Sequence, residues 1–561
     1  MPSHLVLHGV PVYLRHDRPP VEALGISEGR VAAAGTLAEV RAVMPADAEV
    51  LALAVGAVLP AFVDPHQHAY LVAADPGTDL LYRRAKDIRG LVDVVAGLAA
   101  ADTTSATTAS GPAVGSRTWL RYHGYEPLLL AEHRSPTAAE LDRAVPNRPL
   151  HVLTRTFHES VVNSAGLDAL KIGRGTPDPV GGKIVRDRRG NPTGVLLEAA
   201  SFDAEAASRP AGPGSDDALR DRLRAHARRL VEHGIVRIGD AAVPAGQAEL
   251  LVEALASEGV TARPLLVGSR IHEPALVAGR TAKVLLDGGE YSHLCFTGRQ
   301  LAAVLRGSMR AQLGPDGGLA RAVGNRAGFP HREADGRWHS GIRFASEAGA
   351  GALLRQSAEA GASLAVHADG NGAVESLLDA LAADHFAASA VPVRLEHAFV
   401  LDPSLARRIG AAGLTVAVQP GFLAAMGHEL TAAPLPSPFL LMPFGTMRAA
   451  GIPLAISSDY PAADLSPWHG IAAAVTRLDR TGKAILPDEA LDLATALDAA
   501  TRTGAELLGA DDAGTLEPGK SADVIWVARD PHASDAASLP AIRVMATWSG
   551  GRSVFERSAD A

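Results

Sequence analysis

This 561-residue sequence predicts an α/β fold with three parts: a (β/α)8 barrel of the TIM type, a small β domain formed by both chain ends, and a large insertion after barrel strand 1. The barrel is predicted because short apolar runs alternate with helical patterns along the middle of the chain. The predicted strands are 58–63, 235–240, 264–268, 282–287, 364–367, 393–397, 414–419 and 454–459. Ala-, Leu- and Arg-rich stretches at 218–232, 351–361 and 403–413 are predicted helices between them.

The two chain ends have a different sequence pattern from the middle of the chain. Each consists of short apolar or alternating runs separated by Gly and Pro, which is typical of strands joined by tight turns. We therefore expect residues 1–57 and 515–561 to form one small β domain, and residues 58–514 to form the barrel domain. Residues 70–214 interrupt the alternation after the first barrel strand. Such long excursions from a barrel usually cover its mouth or shape the substrate pocket.

Composition argues against several classes of protein. The formal charge of −9, from 53 Lys and Arg against 62 Asp and Glu, gives no reason to expect nucleic acid or an anionic membrane as a partner. Cys295 is the single cysteine, which fits a reducing compartment. Neither a membrane-length apolar run nor a signal-peptide pattern is present in the sequence. We expect a cytoplasmic protein that acts on a small molecule, with a homodimer as the default assembly.

Histidines follow or end three of the predicted strands. His66 and His68 come directly after the run VLPAFVDP, and residues two apart on a strand point to the same side. His367 ends the strand in SLAVHADG, and His397 ends the strand in VRLEHAF. Taken singly, each is more often a core histidine bonded to a backbone carbonyl. Together they lie where the active sites of (β/α)8 barrels gather, so they indicate a metal centre.

Two charged residues lie in otherwise apolar strands. Lys283 occurs in TAKVLLDGG and Asp459 in LAISSDYP, and burial of either charge without a partner is unfavourable. Lys283 could also extend to solvent from the start of its strand. Asp459 could instead cap a helix or close a turn, since Ser457 and Ser458 precede it. Their position beside the strand-end histidines favours a role at the same centre.

The sequence resembles the amidohydrolase superfamily, and within it the amidohydrolase-3 group that includes N-substituted formamide deformylases. The resemblance extends over nearly the whole chain and rests on VLPAFVDPHQH, RPLHVLTRTFHESVVNSAGL, GNPTGVLLEAA, AKVLLDGG, LAVHADGNGAVE, RLEHAF, ISSDYP and GTLEPGKSADVIWVARDP. It implies that the β domain of the two chain ends is a β-sandwich. It also implies a metal-dependent hydrolase that cleaves an amide-type C–N bond, such as an N-acyl, N-formyl or cyclic amide.

The resemblance further implies two divalent metal ions, bridged by a CO2-derived carbamate on Lys283 and by a hydroxide that acts as the nucleophile. Zinc suits these ligands, and Mn2+ or Fe2+ are the alternatives. Asp459 would be the catalytic acid and base. The implied metal ligands are His66, His68, Lys283, His367, His397 and Asp459.

Substrate contacts are expected to differ from those of typical members. His158, in TFHESVVNS, matches a family histidine of the inserted region, and Tyr291, His293 and Gln419 are further candidates for substrate contact. The common motif HAIGDRA reads HADGNGA here, which loses a carboxylate and an arginine. The segment 288–296 also departs from the common form.

Two other functions remain open from the sequence. One is a metal-dependent deaminase of an aromatic or heterocyclic amine, a reaction that generally uses one metal and no bridging lysine. The other is a metal-binding protein without turnover, which would have no use for a proton shuttle. Lys283 argues against the first alternative and Asp459 against the second.

Overall fold

The structure, a computed structural model, describes residues 4–74, 81–106, 119–209, 215–289, 292–326, 328, 330–383, 392–433 and 435–558. Its centre is an eight-stranded parallel sheet whose strands are neighbours in the order in which they occur in the chain. Barrel strands 1 to 8 are Phe62–Gln67, Ile235–Pro244, Thr261–Val267, Thr281–Leu285, Ser363–Ala368, Val393–His397, Val416–Val418 and Leu454–Ile456. The predicted (β/α)8 barrel is confirmed.

Backbone hydrogen bonds beyond the ladders join the last strand to the first. The Asp459 amide donates to the His66 carbonyl at 2.8 Å, and the His68 amide donates to the Tyr460 carbonyl at 3.0 Å. These bonds lie at the carboxyl ends of barrel strands 8 and 1. They therefore bring the segment that carries Asp459 against the segment that carries His66 and His68.

The predicted first barrel strand, residues 58–63, is wrong in its bounds, because that run is divided between two sheets. Ala57–Pro60 pairs antiparallel with Val524–Val527 in the sheet of the chain ends, and the barrel strand begins only at Phe62. The run is apolar throughout, so its hydrophobicity does not show where one sheet ends. Pro60, which lacks an amide hydrogen, ends the first of the two strands. One consequence is that His66 lies within barrel strand 1.

Helices surround the barrel and follow most of its strands. The connection 268–280, all of it described, contains no helix. Sequence signals mark the helix ends: Asp402 caps one helix by accepting from the Ser404 and Leu405 amides, and Gly361 ends another at φ 65°. The helices of this layer are Ser215–Glu232, Ala248–Ser257, Gly298–Gln312, Gly317–Arg326, Glu347–Ala360, Asn371–Ala383, Pro403–Ala411, Gly421–Leu430, Phe444–Ala449, Pro467–Thr476, Leu493–Ala499 and Arg502–Leu507.

The chain between barrel strands 1 and 2 forms a sheet of its own with a separate apolar core. Its five strands, in spatial order, are Gly182–Arg186, Pro192–Glu198, Glu159–Val162, Leu150–Thr154 and Leu120–Tyr125. The helices of this region are Ala69–Ala74, Leu81–Arg84, Ile88–Ala106, Ala138–Leu141, Ser164–Ala169 and Ala199–Ser208. The turn between Leu150–Thr154 and Glu159–Val162 carries His158, which reaches the barrel mouth.

Strands from both chain ends form one eight-stranded sheet, accompanied by the helix Leu37–Val43. Its strands are His4–Val12, Val21–Ser27, Arg30–Gly35, Glu49–Ala52, Ala57–Pro60, Val524–Val527, Val544–Ser549 and Arg552–Glu556. Two smaller sheets consist of Leu294–Phe296, Trp338–Ser340 and His331–Arg332, and of Val400–Leu401 and Leu440–Leu441. Short 3-10 helices are Pro127–Leu129, Ala245–Gln247, Pro487–Glu489, Pro531–Ala533 and Ala536–Ala541. Within the described residues, no helix has the length and apolar character needed to cross a membrane.

Candidate metal centre

Seven of the residues singled out in the sequence line one small cavity at the carboxyl ends of the barrel strands. The cavity has a volume of about 30 Å3, which is the scale of ions and water and is far below that of a drug-sized pocket. Apolar side chains, among them Phe157, Phe202 and Leu285, form part of its wall. The seven are His66, His68, His158, Lys283, His367, His397 and Asp459.

A buried carboxylate fixes the orientation of His66. The Nδ1 atom of His66 is hydrogen-bonded to Glu396 Oε2, and Arg394 pairs with the other oxygen of Glu396. Burial acts to raise the pKa of Glu396, but Arg394 and His66 hold it well below its usual range. Glu396 is therefore ionised and can only accept, so His66 Nδ1 carries the hydrogen. The lone pair of His66 is then on Nε2, beside Lys283 and Asp459.

The same arrangement recurs at His68 and His397. His68 Nδ1 donates to the Ala241 carbonyl at 2.9 Å, and His397 Nδ1 donates to Gln419 Oε1 at 2.8 Å. The amide group of Gln419 is itself fixed, because its Nε2 donates to Ser457 Oγ at 2.9 Å. In all three histidines, a hydrogen-bond acceptor holds Nδ1 and leaves Nε2 as the atom with the lone pair. This is the arrangement typical of metal-binding histidines.

The buried side chains around His367 fit a cation. Its Nε2 is buried and has no hydrogen-bond partner among the described residues, and the nearest carboxylate oxygens are Asp369 Oδ2 at 3.7 Å and Asp287 Oδ1 at 3.8 Å. These distances are too long for hydrogen bonds but suit groups that share an ion. Burial lowers the pKa of His66 to about 4 and those of His367 and His397 well below the usual value. The imidazoles are therefore neutral at pH 7, as ligands must be.

Lys283 is buried among these histidines. Only 4% of the residue is exposed, and its Nζ lies 3.5 Å from His66 Nε2. Burial lowers the pKa of Lys283 to about 8, because an ammonium group loses hydration there. The neutral amine is the form that reacts with CO2, so this environment is compatible with a carbamate.

Asp459 faces the same space from the segment after barrel strand 8, because that strand ends at Ile456 and not at Asp459 as its predicted bounds had it. Its Oδ1 lies 3.0 Å from His68 Nε2 and 3.6 Å from His66 Nε2. Burial acts to raise the pKa of Asp459, but the nearby imidazoles of His68, His66 and His397 hold it well below its usual range. Asp459 (φ 51°) and His397 (φ 75°) both adopt left-handed backbone conformations that are unfavourable for such residues. Backbone strain of this kind is concentrated at functional sites.

The insertion contributes His158 to the cavity. His158 Nδ1 is hydrogen-bonded to Glu198 Oε2 at 2.7 Å, and its ring lies 5.3 Å from that of His367. Two glycines after barrel strand 4 leave room for this pair. A Cβ at Gly288 would lie 2.4 Å from Glu198 Oε1, and a Cβ at Gly289 would lie 2.8 Å from the His158 ring. Gly288 and Gly289 therefore permit His158 to approach the centre.

The other three predicted site residues are not among the described residues that line this cavity. Gln419 is completely buried behind His397, and its amide group is used to hold that histidine. His293 is also buried, with its Nε2 2.9 Å from His339 Nδ1. Tyr291 lies outside the described residues. The positions of Gln419 and His293 favour support of neighbouring histidines over direct substrate contact.

Several carboxylates at this site were not singled out from the sequence. Glu396 and Glu198 hold His66 and His158, and Asp287 and Asp369 face His367. The inference that the HADGNGA segment loses a carboxylate needs correction, because Asp369 retains one at a different position. The signal that could have found Glu396 is the one that found Lys283: a charged residue within an apolar strand.

Comparison with known proteins identifies the family. A sequence model described as "Amidohydrolase family" matches residues 49–555. The chain belongs to the amidohydrolase family. A curated relative, N-substituted formamide deformylase from Arthrobacter pascens, is 30% identical over 556 residues, which cover 96% of this chain and 95% of the relative. A putative amidohydrolase from Bacillus subtilis, YtcJ, is 28% identical over 78% of this chain and 80% of its own length.

The solved structures agree with this assignment at the level of the fold. An uncharacterised metal-dependent hydrolase from Pyrococcus horikoshii superposes with a TM-score of 0.63 at 20% identity, over 95% of this chain and 99% of that chain. Membership of the amidohydrolase family makes this protein a hydrolase that acts on carbon–nitrogen bonds. The buried His and Asp groups of the described chain are candidates to hold its metal.

Proposed function

We propose that this amidohydrolase cleaves an amide-type C–N bond of a small molecule: an N-formyl, N-acyl or cyclic amide. The observation that carries the proposal is the convergence of Lys283, Asp459 and the strand-end histidines on one cavity. The relative from Arthrobacter pascens, named as a deformylase of N-substituted formamides, makes N-formyl amines the first substrates to test.

Two divalent cations, with zinc best suited to imidazole and carboxylate ligands, would complete this centre. When bound, such ions acidify water and polarise a carbonyl group. The residues that would hold them are His66, His68, His367, His397, Asp459 and Lys283 as its carbamate. In three of these histidines a hydrogen bond holds Nδ1, so that Nε2 faces the cavity. This orientation supports the assignment.

A carbamate on Lys283 would resolve the cost of burying a cation at this position. An ammonium group among neutral imidazoles and cations is unfavourable, whereas a carbamate is an anion with two oxygens for the metals. The lowered pKa of Lys283, about 8, leaves a substantial fraction of the amine neutral near pH 7 to 8. CO2 can add to that neutral amine, and the proton that is released leaves to water.

Asp459 is the proposed proton carrier. It is ionised, buried and close to His66 and His68, so it can accept the proton of the attacking water. The same carboxyl group would then donate that proton to the leaving nitrogen. His158, held by Glu198 on the insertion side of the cavity, would bind the substrate carbonyl or leaving group.

The test is a substrate screen with metal-loaded and metal-stripped protein. We expect metal-dependent release of an amine and an acid from N-formyl or N-acyl amines, or ring opening of a cyclic amide. Lys283→Met should abolish that activity, with Lys183→Met, an exposed lysine of the insertion sheet, as the matched control. Ammonia release from an amino-substituted heterocycle, with no amide cleaved, would instead support the deaminase. Equal amide hydrolysis by the stripped protein would refute the proposal.

A further inference from the structure

A second group of metal-ligating side chains lies on the small sheet of Leu294–Phe296, Trp338–Ser340 and His331–Arg332. In its antiparallel register, Cys295 is opposite His339, and His339 is opposite His331. Residues directly opposite each other in antiparallel strands have side chains on the same face. The register therefore places one thiol and two imidazoles in a row on one face of this sheet.

The atoms of this group are close enough to share one ion. His339 Nε2 lies 2.9 Å from Asp335 Oδ2 and 3.7 Å from Cys295 Sγ, and the three ligand atoms all lie within 4.8 Å of one another. Sulfur, imidazole nitrogen and carboxylate oxygen are the ligands that zinc prefers. Cys295 and His339 are buried, whereas 45% of the Asp335 side chain is exposed. The group is therefore firmly held on one side and open to solvent on the other.

A third histidine, His293, orients His339. His293 Nε2 lies 2.9 Å from His339 Nδ1, and the two rings stack with centroids 5.2 Å apart. If His339 donates from Nδ1, its Nε2 lone pair faces the thiol of Cys295 and a carboxylate oxygen of Asp335. His339 Nε2 and the Asp335 oxygen would then both be acceptors, with no hydrogen between them. A cation bound between these two atoms would satisfy both. A neighbour that holds Nδ1 is the arrangement already seen at His66, His68 and His397.

We propose that Cys295, His339 and Asp335 form a structural zinc site separate from the barrel centre, with His331 or water as the fourth ligand. On binding, the thiol proton of Cys295 leaves to water and a sulfur–zinc bond replaces the sulfur–hydrogen bond. The proposal does not depend on the reaction at the barrel centre. None of these four residues is among the described residues that line the barrel cavity.

Such a site would hold the hairpin of residues 331–340 against the strand Leu294–Phe296. That strand is already tied to the barrel, because Asp287 Oδ2 accepts from the His293 amide at 2.8 Å. The hairpin and the residues after it, including His331, Ser340 and Ile342, line a cavity of about 600 Å3 against the insertion sheet. The zinc would therefore fix one wall of that larger cavity.

The test uses the fact that Cys295 is the only cysteine in the chain. A charge-transfer absorption band between cobalt and a thiolate in the Co2+-substituted full-length protein can arise only from this residue. We expect the band in the wild-type protein and its loss in Cys295→Ser, together with one metal equivalent fewer per chain. Asp335→Asn should weaken cobalt binding at this site, so that the band requires more Co2+.

His397→Asn is the matched control, since it should remove metal from the barrel centre and leave the thiolate band unchanged. A wild-type protein saturated with Co2+ that shows no thiolate band would overturn the proposal. So would a Cys295→Ser protein that keeps the wild-type metal content. These readouts are independent of turnover, so an inactive protein with the band would count only against the proposed hydrolysis.

Discussion

The barrel centre and the Cys295–His339–Asp335 site hold their histidines in the same way but assemble them differently. In both, a neighbouring group engages Nδ1 and leaves Nε2 to face the site. The barrel centre collects its residues from the carboxyl ends of strands far apart in the chain, whereas the second site collects them from one small antiparallel sheet and its hairpin turn. The difference shows that barrel topology determines the first group of candidate ligands, whereas the register of a hairpin determines the second group.

The largest expected effect comes from removing Asp459, the proposed proton carrier of the barrel centre. Asp459→Asn preserves the shape of the side chain and an oxygen that can bind metal, but the amide cannot accept a proton. We expect kcat for amide hydrolysis to fall by about 10²–10⁴-fold, the usual contribution of a general acid and base. Steady-state kinetics with metal analysis of the same sample measure this. Activity close to that of the wild type would show that Asp459 is not the proton carrier. Cobalt binding at the Cys295–His339–Asp335 site should be unaffected by this substitution.

A smaller effect is expected from the group that orients His66. Glu396→Gln keeps the shape of the side chain but removes the charge, and its NH2 group can reverse the direction of the hydrogen bond to Nδ1. We expect metal affinity or activity at the barrel centre to fall about 10–100-fold. Glu375→Gln, which alters a half-buried carboxylate paired with Arg337, is the control. Equal metal affinity in Glu396→Gln and the wild type would show that His66 needs no such support.

The equivalent change at the second site is His293→Phe. Phenylalanine keeps the stacking with His339 but cannot accept from its Nδ1. We expect Co2+ binding measured by the thiolate band to weaken by about tenfold, the lower end of the effect for such supporting groups. Glu396→Gln should leave this band unchanged. If His293→Phe binds cobalt at Cys295 as tightly as the wild type does, the two sites do not share the orienting arrangement.

The last effect is on stability rather than on metal binding or turnover, and it concerns a buried histidine that belongs to neither site. His226 bonds through Nε2 to Gln67 Oε1 at 2.9 Å, and burial lowers its pKa to about 3. Below pH 6.5 the unfolded chain binds a proton there that the folded chain excludes, so the free energy of unfolding decreases as pH falls from 6.5 toward 3. Between pH 6.5 and 5, His226 should contribute roughly 2 kcal/mol to that decrease.

Urea unfolding of metal-free wild type and His226→Met at these two pH values measures the contribution of His226. The pH dependence of the variant should be shallower than that of the wild type by about this amount. The comparison isolates His226, because the other buried histidines are present in both proteins. Parallel pH profiles would show that His226 does not titrate in this way.

The barrel strands could be predicted because their short apolar runs alternate with helical patterns along the chain. His367, His397 and Lys283 could be recognised because each is a polar or charged residue in an otherwise apolar strand. The division between Ala57–Pro60 and Phe62–Gln67 could not be predicted, since both strands are apolar and only their pairing differs. Hydrophobicity thus locates strands better than it assigns them to sheets.

The second site could not be predicted for a related reason. Leu294–Phe296 and His331–Arg332 are only three and two residues long, too short for any periodic pattern. Their register depends on a hairpin and on contacts with residues distant in the sequence. The sequence shows that segment 288–296 departs from the common family form. It does not show that Cys295 lies close to His339 and Asp335, which is a feature of the folded chain.

The central claim, that the barrel centre performs metal-dependent hydrolysis, is tested most directly by adding zinc to metal-free protein. The Cys295→Ser background removes the second site, so added metal reports on the barrel centre. The account predicts no amide hydrolysis without metal and a rate that rises to a plateau as two equivalents bind. Full activity before any zinc is added, or metal bound at the barrel centre with no hydrolysis of any amide, would contradict it.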